Sequence, residues 1–198
     1  EPTWRHAVWP DYKLGRSPMP EALEKVLEQF KKGFQTAGFF CFEFQHWEAD
    51  DVIASLAAKS AYNGLSSTII STDKGFFQLV DQRIQILNHF DRQLFNEEEV
   101  RARYSVEAKQ LVDLLALTGD TTNHLPGIKG IGIKTATDLL TQYQDLDTLL
   151  IELPELELKP KLKEALETQW RNALLTRKLA KLVTDLPLGI NLNDMRIK

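Results

Sequence analysis

Gly119–Leu140 reads GDTTNHLPGIKGIGIKTATDLL, and this stretch decides how the second half of the chain folds. Pro126 and three glycines, Gly127, Gly130 and Gly132, crowd into a short connection between two apolar-periodic runs. The first run predicts a helix over about Val106–Leu117, and the second opens a helix near Ile133. Glycine permits torsions and close backbone approaches that a Cβ forbids. Amide N–H groups at the start of the second helix lack intrahelical partners, and the helix dipole makes that end attractive to anions. Lys134 and Thr135 fall in this first turn. The pattern predicts a helix–hairpin–helix that grips a nucleic-acid backbone without reading bases.

A nucleotide-binding P-loop would need Gly, four residues, then Gly-Lys-Ser/Thr. Gly127 and Gly132 have that separation, but Ile133 intervenes before Lys134-Thr135, and LVDLLALTG ahead of the loop is helical rather than a strand. An ordinary interhelical turn would account for one glycine, but not for three with a proline and a basic first turn.

Outward from the hairpin, the pattern is helical nearly throughout from Asn96 onward: NEEEVRARY, DLDTLLIEL and PKLKEALETQWRNALLTRKLAKLV. Before it, strands and helices alternate. PEALEKVLEQFKKGFQTAG predicts an amphipathic helix with Leu23, Val26, Leu27, Phe30 and Phe34 on one face and Gly38 as its stop. FFCFEF predicts a buried strand. EADDVIASLAAKSAYNG predicts a helix with Ile53, Leu56, Ala57 and Ala61 inward. SSTIISTD is a strand, KGFFQLV a short helix, and RIQILNH a strand with Ile84 and Ile86 alternating. Such alternation implies a parallel sheet. Residues 1–20 lack a period and read as loop. The expected organisation is an α/β core over 1–95 and a helical subdomain over 96–198.

The chain has 198 residues, enough to bury a substantial core, with 43% hydrophobic and 26% charged residues. No apolar run is long enough for a bilayer, and no signal peptide is visible. Cys41 is the single cysteine, so an internal disulfide is excluded and a reducing cytoplasm is the expected setting. A net charge of −4 excludes a surface coated in basic residues, though a local basic stripe remains compatible with it.

Glu48, Asp50 and Asp51 open one helix within four residues, and Asp73 ends the strand TIIST. Open α/β sheets place their ligands at such strand ends. Acids converging there repel unless a divalent cation lies between them. Mg²⁺ suits the site, since it takes carboxylate and phosphate oxygens and keeps several waters. Two such ions roughly 4 Å apart can serve phosphodiester hydrolysis. Asp120, just before the hairpin, either adds a carboxylate or caps the turn. Arg5, Lys13 and Arg16 accompany Trp4, Trp9 and Tyr12. Interleaved cations and aromatics suit single-stranded nucleic acid, and Lys13 could neutralise charge on a scissile phosphate.

With these residues in hand, the chain resembles the 5′-nuclease (flap endonuclease) family, and within it the stand-alone bacterial relatives of the 5′-nuclease domain of DNA polymerase I. PDYKLGRSPMP resembles the arch-base segment, EADD the metal-binding helix, and STDKGFFQL the strand-end aspartate motif. TGDTTNHLPGIKGIGIKTA resembles the helix-three-turn-helix, here spanning about 106–142. The resemblance implies an α/β, PIN-like parallel-sheet core with a C-terminal helical subdomain. It also implies a monomer that cleaves 5′ flaps of branched DNA with Mg²⁺, for which Mn²⁺ can substitute.

Matching positions imply Glu48, Asp50, Asp51, Asp73 and Asp120 as Mg²⁺ ligands, with Lys13 and Arg16 at the scissile phosphate and Tyr12 alongside. They imply a K⁺ ion held by main-chain carbonyls of Leu117, Thr118, Pro126, Ile128 and Ile131, and DNA contacts from Gly130, Ile131, Gly132, Ile133, Lys134 and Thr135. Family members begin with an apolar strand ending in a metal-binding aspartate, and a second aspartate follows a later strand. Neither precedes Glu1, so an N-terminal strand is expected to be missing here. Gly75 and Asn123 stand where many members carry acids, which predicts a weak second metal position. A DNA-structure-binding module with weak or lost nuclease activity is the alternative, and an RNA nuclease with a related core is the third reading.

Overall fold

The structure, a computed structural model, describes residues 2–17 and 19–196, so the outer ends of the two expected domains at 1 and 197–198, and Pro18 of the N-terminal loop, lie outside it. A three-stranded sheet forms from β1 (Ser67–Ile70), β2 (Ile84–Asn88) and β3 (Gln93–Phe95), in that order. β1 and β2 run parallel, from Ser67↔Ile84 to Ile70↔Leu87. β3 folds back antiparallel on β2, with Ile86↔Phe95 in register, so the sheet is mixed rather than wholly parallel. A three-residue strand across a tight turn carries no alternation long enough to read in a sequence.

The helices are α1 (Trp4–Val8), α2 (Glu21–Thr36), α3 (Ala49–Tyr62), α4 (Glu97–Tyr104), α5 (Leu111–Thr118), α6 (Ile133–Tyr143), α7 (Leu146–Glu152) and α8 (Pro160–Ala180). Their starts follow side-chain chemistry. Asn96 accepts the Glu98 and Glu99 amides at 2.8 and 3.2 Å, and Glu99 accepts the Asn96 amide in return, completing a capping box at α4. Asp145 accepts the Thr148 amide at 2.7 Å at the start of α7. KGFFQL forms a 3-10 helix, Lys74–Leu79, capped by Asp73.

One hydrophobic core joins both halves. It runs from Ala54 and Ala57 of α3 through Ile69, Phe76, Ile86 and Phe95 to Leu114, Leu117, Ile128, Leu139, Leu149, Leu166 and Ala173. The helical half therefore shares packed side chains with the sheet, and the hairpin is fixed relative to the ends of the strands. None of the helices among the described residues is long and apolar enough to cross a membrane.

Four further expectations change. The N-terminal loop contains α1, and Thr3 caps it. FFCFEF is not a strand: none of the described residues ladders with it, and an unpaired strand leaves its N–H and C=O groups without partners. Phe40, Phe42 and Phe44 stack instead, at centroid spacings of 6.4 Å. The α2 face of Leu23, Val26, Leu27, Phe30 and Phe34 is formed but exposed. In α3, Ile53 is exposed while Asp51 and Ser55 are buried with Val52, Ala54 and Ala57. Periodicity of apolar residues cannot register buried polar ones.

Candidate active site

The first helix delivers a cation into the protein. Arg5 is 1% exposed and carries its guanidinium between α3 and the chain leaving α8. Nη1 donates to Glu48 Oε2 at 2.5 Å and to Asp51 Oδ2 at 2.6 Å, and Nη2 donates to Asp51 Oδ1 at 2.8 Å. The remaining donors reach the carbonyls of Leu179 (2.8 Å) and Lys181 (3.1 Å). Burial works against the charge, and hydrogen bonding to Asp51 with the nearby Glu48 more than offsets it, so the guanidinium is held still more firmly protonated than usual. The expected place of Arg5 on a nucleic-acid surface is thereby corrected: a planar five-donor group matches this pocket and leaves nothing for solvent.

Lys13 follows in a left-handed turn at φ +56 and donates to Glu48 Oε1 at 2.6 Å. Burial lowers its proton affinity, but the Glu48 hydrogen bond wins and the ammonium stays charged. Tyr12 is buried beside Leu125 and Leu179, not displayed, and its hydroxyl donates to Glu48 at 3.3 Å. Burial first, then the Glu48 charge, pushes its phenol up. Glu48 is thus held by three side chains of the N-terminal segment.

Asp50 and Asp73 differ. Asp50 is half-buried, and no donor among the described residues hydrogen-bonds to its carboxylate. Burial and then the negative charge of Asp73 push its proton affinity up, against the pull of Lys13. Asp73 is exposed, and one of its oxygens accepts the Gly75 amide at 2.7 Å. A Cβ on Gly75 would stand 3.1 Å from that same oxygen, so an acid at this position would crowd Asp73.

The four acids therefore split into two kinds. Asp51, fully buried, has its charge met by Arg5 and the Val183 amide (2.9 Å), and Glu48 is shared by Arg5 and Lys13. Asp50 feels the charge of Asp73, offset in part by Lys13, and such repulsion is what a hard divalent ion relieves. Among the described residues no three acids or other ligating side chains gather on one point. Asp50 and Asp73 are the two of these acids that no arginine or lysine hydrogen-bonds among the described residues, and hard carboxylate oxygens are the donors a divalent ion takes beside water and phosphate oxygens.

Asp120 serves the turn before the hairpin. One oxygen accepts the Thr122 and Asn123 amides at 2.9 and 3.4 Å, and the other accepts the Asn123 side-chain amide at 2.5 Å. Arg16 donates to Asn123 Oδ1 at 2.9 Å, the Lys13 amide to the Asn123 carbonyl at 3.1 Å, and the Trp9 indole to the His124 carbonyl at 3.0 Å. The N-terminal segment thereby ties the EADD helix to the hairpin.

The hairpin is closed by two glycines in contact. A Cβ on Gly127, at φ +58, would lie 2.2 Å from the Gly119 nitrogen. Asp120 and Leu125 pair through both main-chain bonds. Of the five expected K⁺ carbonyls, Leu117 accepts the Ile128 amide (2.9 Å) and Ile128 accepts the Ile131 amide (3.1 Å), leaving each a free lone pair. Gly132 caps α6 without a side chain, so the first amides of this helix face outward at an exposed tip of Gly130, Gly132, Ile133 and Lys134, with Ile131 buried beneath.

Beyond Arg5's true place, sequence reasoning missed Gln78, Thr176 and the segment after α8. Gln78 stands inside STDKGFFQL, where only Asp73 drew a role, Thr176 stands in no motif, and the segment after α8 lies more than a hundred residues from Asp51, which it touches.

Comparison with known proteins accords with this fold. Residues 1–105 match the family "5′-3′ exonuclease, N-terminal resolvase-like domain", and residues 106–198 match "5′-3′ exonuclease, C-terminal SAM fold". Flap endonuclease Xni of Colwellia psychrerythraea is 42% identical over 197 residues, covering all of this chain and 67% of that protein. Flap endonuclease Xni of Shewanella sp. (strain W3-18-1) is 44% identical over 198 residues, covering 99% of this chain and 74% of its own. Among solved structures, the T5 D15 protein co-crystallised with metal ions superposes with a TM-score of 0.76 at 23% identity, covering 92% of this chain and 71% of that one. The catalytic core of Rad2 in complex with DNA substrate gives 0.55 at 12% identity, covering 90% and 60%.

Proposed function

The chain belongs to the 5′-3′ exonuclease family, and from that premise and the site's geometry we propose that it is a flap endonuclease, cleaving 5′ flaps at junctions of single- and double-stranded DNA. The observation that carries this reading is the unrelieved Asp50–Asp73 pair, packed through one core with a hairpin whose helix N-terminus is open.

Asp50 and Asp73 would hold Mg²⁺, with Mn²⁺ as substitute. Glu48 would join when Lys13 turns from it toward a phosphate, whereas Asp51 would act through Arg5. The ion supplies Lewis-acid polarisation of the phosphodiester and a water of lowered pKa. Lys13 and Arg16 orient the scissile phosphate, and Tyr12 supports them by fixing Glu48. Asp120 shapes the turn that carries Arg16's partner, Asn123. Gly130–Thr135 would offer amides and the Lys134 ammonium to a duplex phosphate, and the carbonyls of Leu117, Thr118, Pro126, Ile128 and Ile131 would hold K⁺, which would supply further positive charge for the duplex backbone. Residues 1–95 carry the chemistry and 96–198 the duplex grip, in a monomer acting in the cytoplasm.

The test is release of a labelled 5′ flap from a branched duplex under Mg²⁺. Asp50→Asn should slow cleavage by about 100-fold or more while flap affinity without divalent ions holds. Unchanged cleavage would overturn the metal assignment. The spending of Glu48 and Asp51 on Arg5 and Lys13 favours a second reading, a DNA-structure-binding module with little turnover. Tight flap binding without cleavage across Mg²⁺ and Mn²⁺ titrations would select it.

A further inference from the structure

Both acid-bearing elements are laced to the same few residues, 179–183, where α8 gives way to extended chain. From α3, Asp51 reaches this strap through Arg5 and the Val183 amide, and Ser55 Oγ donates to the Val183 carbonyl at 3.0 Å. From the other side comes Gln78, on the 3-10 helix that Asp73 caps. Its Nε2 donates to the Gly75 carbonyl at 2.8 Å and to the Ala180 carbonyl at 3.1 Å, and its Oε1 accepts the Leu182 amide at 3.0 Å. Gly75 then gives its own amide to Asp73 Oδ1. The strap is thus linked through one carboxamide to Gly75, and through the Gly75 backbone to the exposed carboxylate of Asp73.

The same α8 is fastened to the hairpin. Thr176, fully buried, accepts the Gly127 amide at 3.2 Å, and Gln169 accepts the Lys129 amide at 2.9 Å. Resting on the nuclease reading, we propose that Gln78 is a positioning residue. It sets Asp73 against Asp50 through the strap and lets α8 fix that pair relative to the duplex grip. Glutamine fits this place because one arm must donate twice and accept once. Glutamate would turn a carboxylate on two carbonyls, and methionine would keep the volume while abandoning all three partners.

The test uses the full chain, with Gln78→Met against the parent. Mn²⁺ uptake is followed by electron paramagnetic resonance, single-turnover flap cleavage across a Mg²⁺ titration, flap affinity without divalent ions by anisotropy, and folding by melting. The expected result is Mn²⁺ affinity weakened about tenfold and maximal cleavage slowed about tenfold or more, with metal-free flap affinity within about twofold. Mn²⁺ affinity and cleavage equal to the parent's overturn the proposal, as does a loss of flap affinity matching the loss of rate. Should Gln78→Met fail to fold, Gln78→Asn decides on the same readouts, since it keeps the carboxamide but withdraws it by one methylene. A parent that binds Mn²⁺ yet cleaves no flap refutes the nuclease reading alone, with Mn²⁺ affinity still judging Gln78. A parent that takes up no Mn²⁺ overturns both.

Discussion

Replacing Arg5 by methionine isolates a fully buried electrostatic contact between the N-terminal segment and α3. The substitution keeps an unbranched apolar stem but deletes the guanidinium. It strips Asp51, 0% exposed, of two hydrogen bonds and leaves only the Val183 amide against its charge. It also orphans the Leu179 and Lys181 carbonyls. Breaking a buried pair by removing one partner destabilises by roughly 3–5 kcal/mol. For a chain of this size about 1 kcal/mol moves the melting temperature by about 2–4 °C, so a fall of about 6–20 °C is expected. Urea unfolding followed by circular dichroism measures it. The double variant Arg5→Met with Asp51→Leu should recover part of the loss, since buried charges removed together are far less harmful than one left alone. Strictly additive losses, or an Arg5→Met loss under about 1 kcal/mol, would refute the view that this pair is a sealed internal salt bridge.

Gly127→Ala should open the hairpin, because the added methyl meets the Gly119 backbone at a positive φ. A loss of at least about 2 kcal/mol is expected in unfolding experiments, and one under about 0.5 kcal/mol would contradict the contact. A separate test concerns pH. Burial raises the Asp113 carboxyl against the Leu146 amide and Arg177, so its protonated form is favoured in the fold. The stability it contributes is complete below the ordinary aspartate range near 4 and is lost as pH rises through the raised value. Asp113→Asn should remove that slope, gaining on the parent as pH climbs, and parallel pH curves would count against it.

Much of the site could be read from residues close together in sequence. Glu48, Asp50 and Asp51 share one helix start, Asp73 follows β1 and caps the next 3-10 helix, and Gly127 sits where only glycine fits. What escaped reading depends on distant partners. Arg5 resembles Arg16 in sequence, yet one is sealed against carbonyls after α8 and the other reaches Asn123 at the surface. FFCFEF has strand composition but finds nothing to ladder with among the described residues, so composition and outcome part. Ser55 and Asp51 face the strap, and their burial broke the apolar stripe expected of α3.

The bond from Arg5 to Leu179 spans 174 positions. Contacts so remote must overcome a large loop-closure entropy and form late, after local helices have condensed. During synthesis the acids of α3 emerge long before residues 179–183 exist to receive Arg5. The Arg5–Asp51 arrangement is thus completed only once α8 and the chain after it have been made, so a ribosome-bound fragment ending before α8 would carry Glu48, Asp50, Asp51 and Asp73 without the strap that holds them.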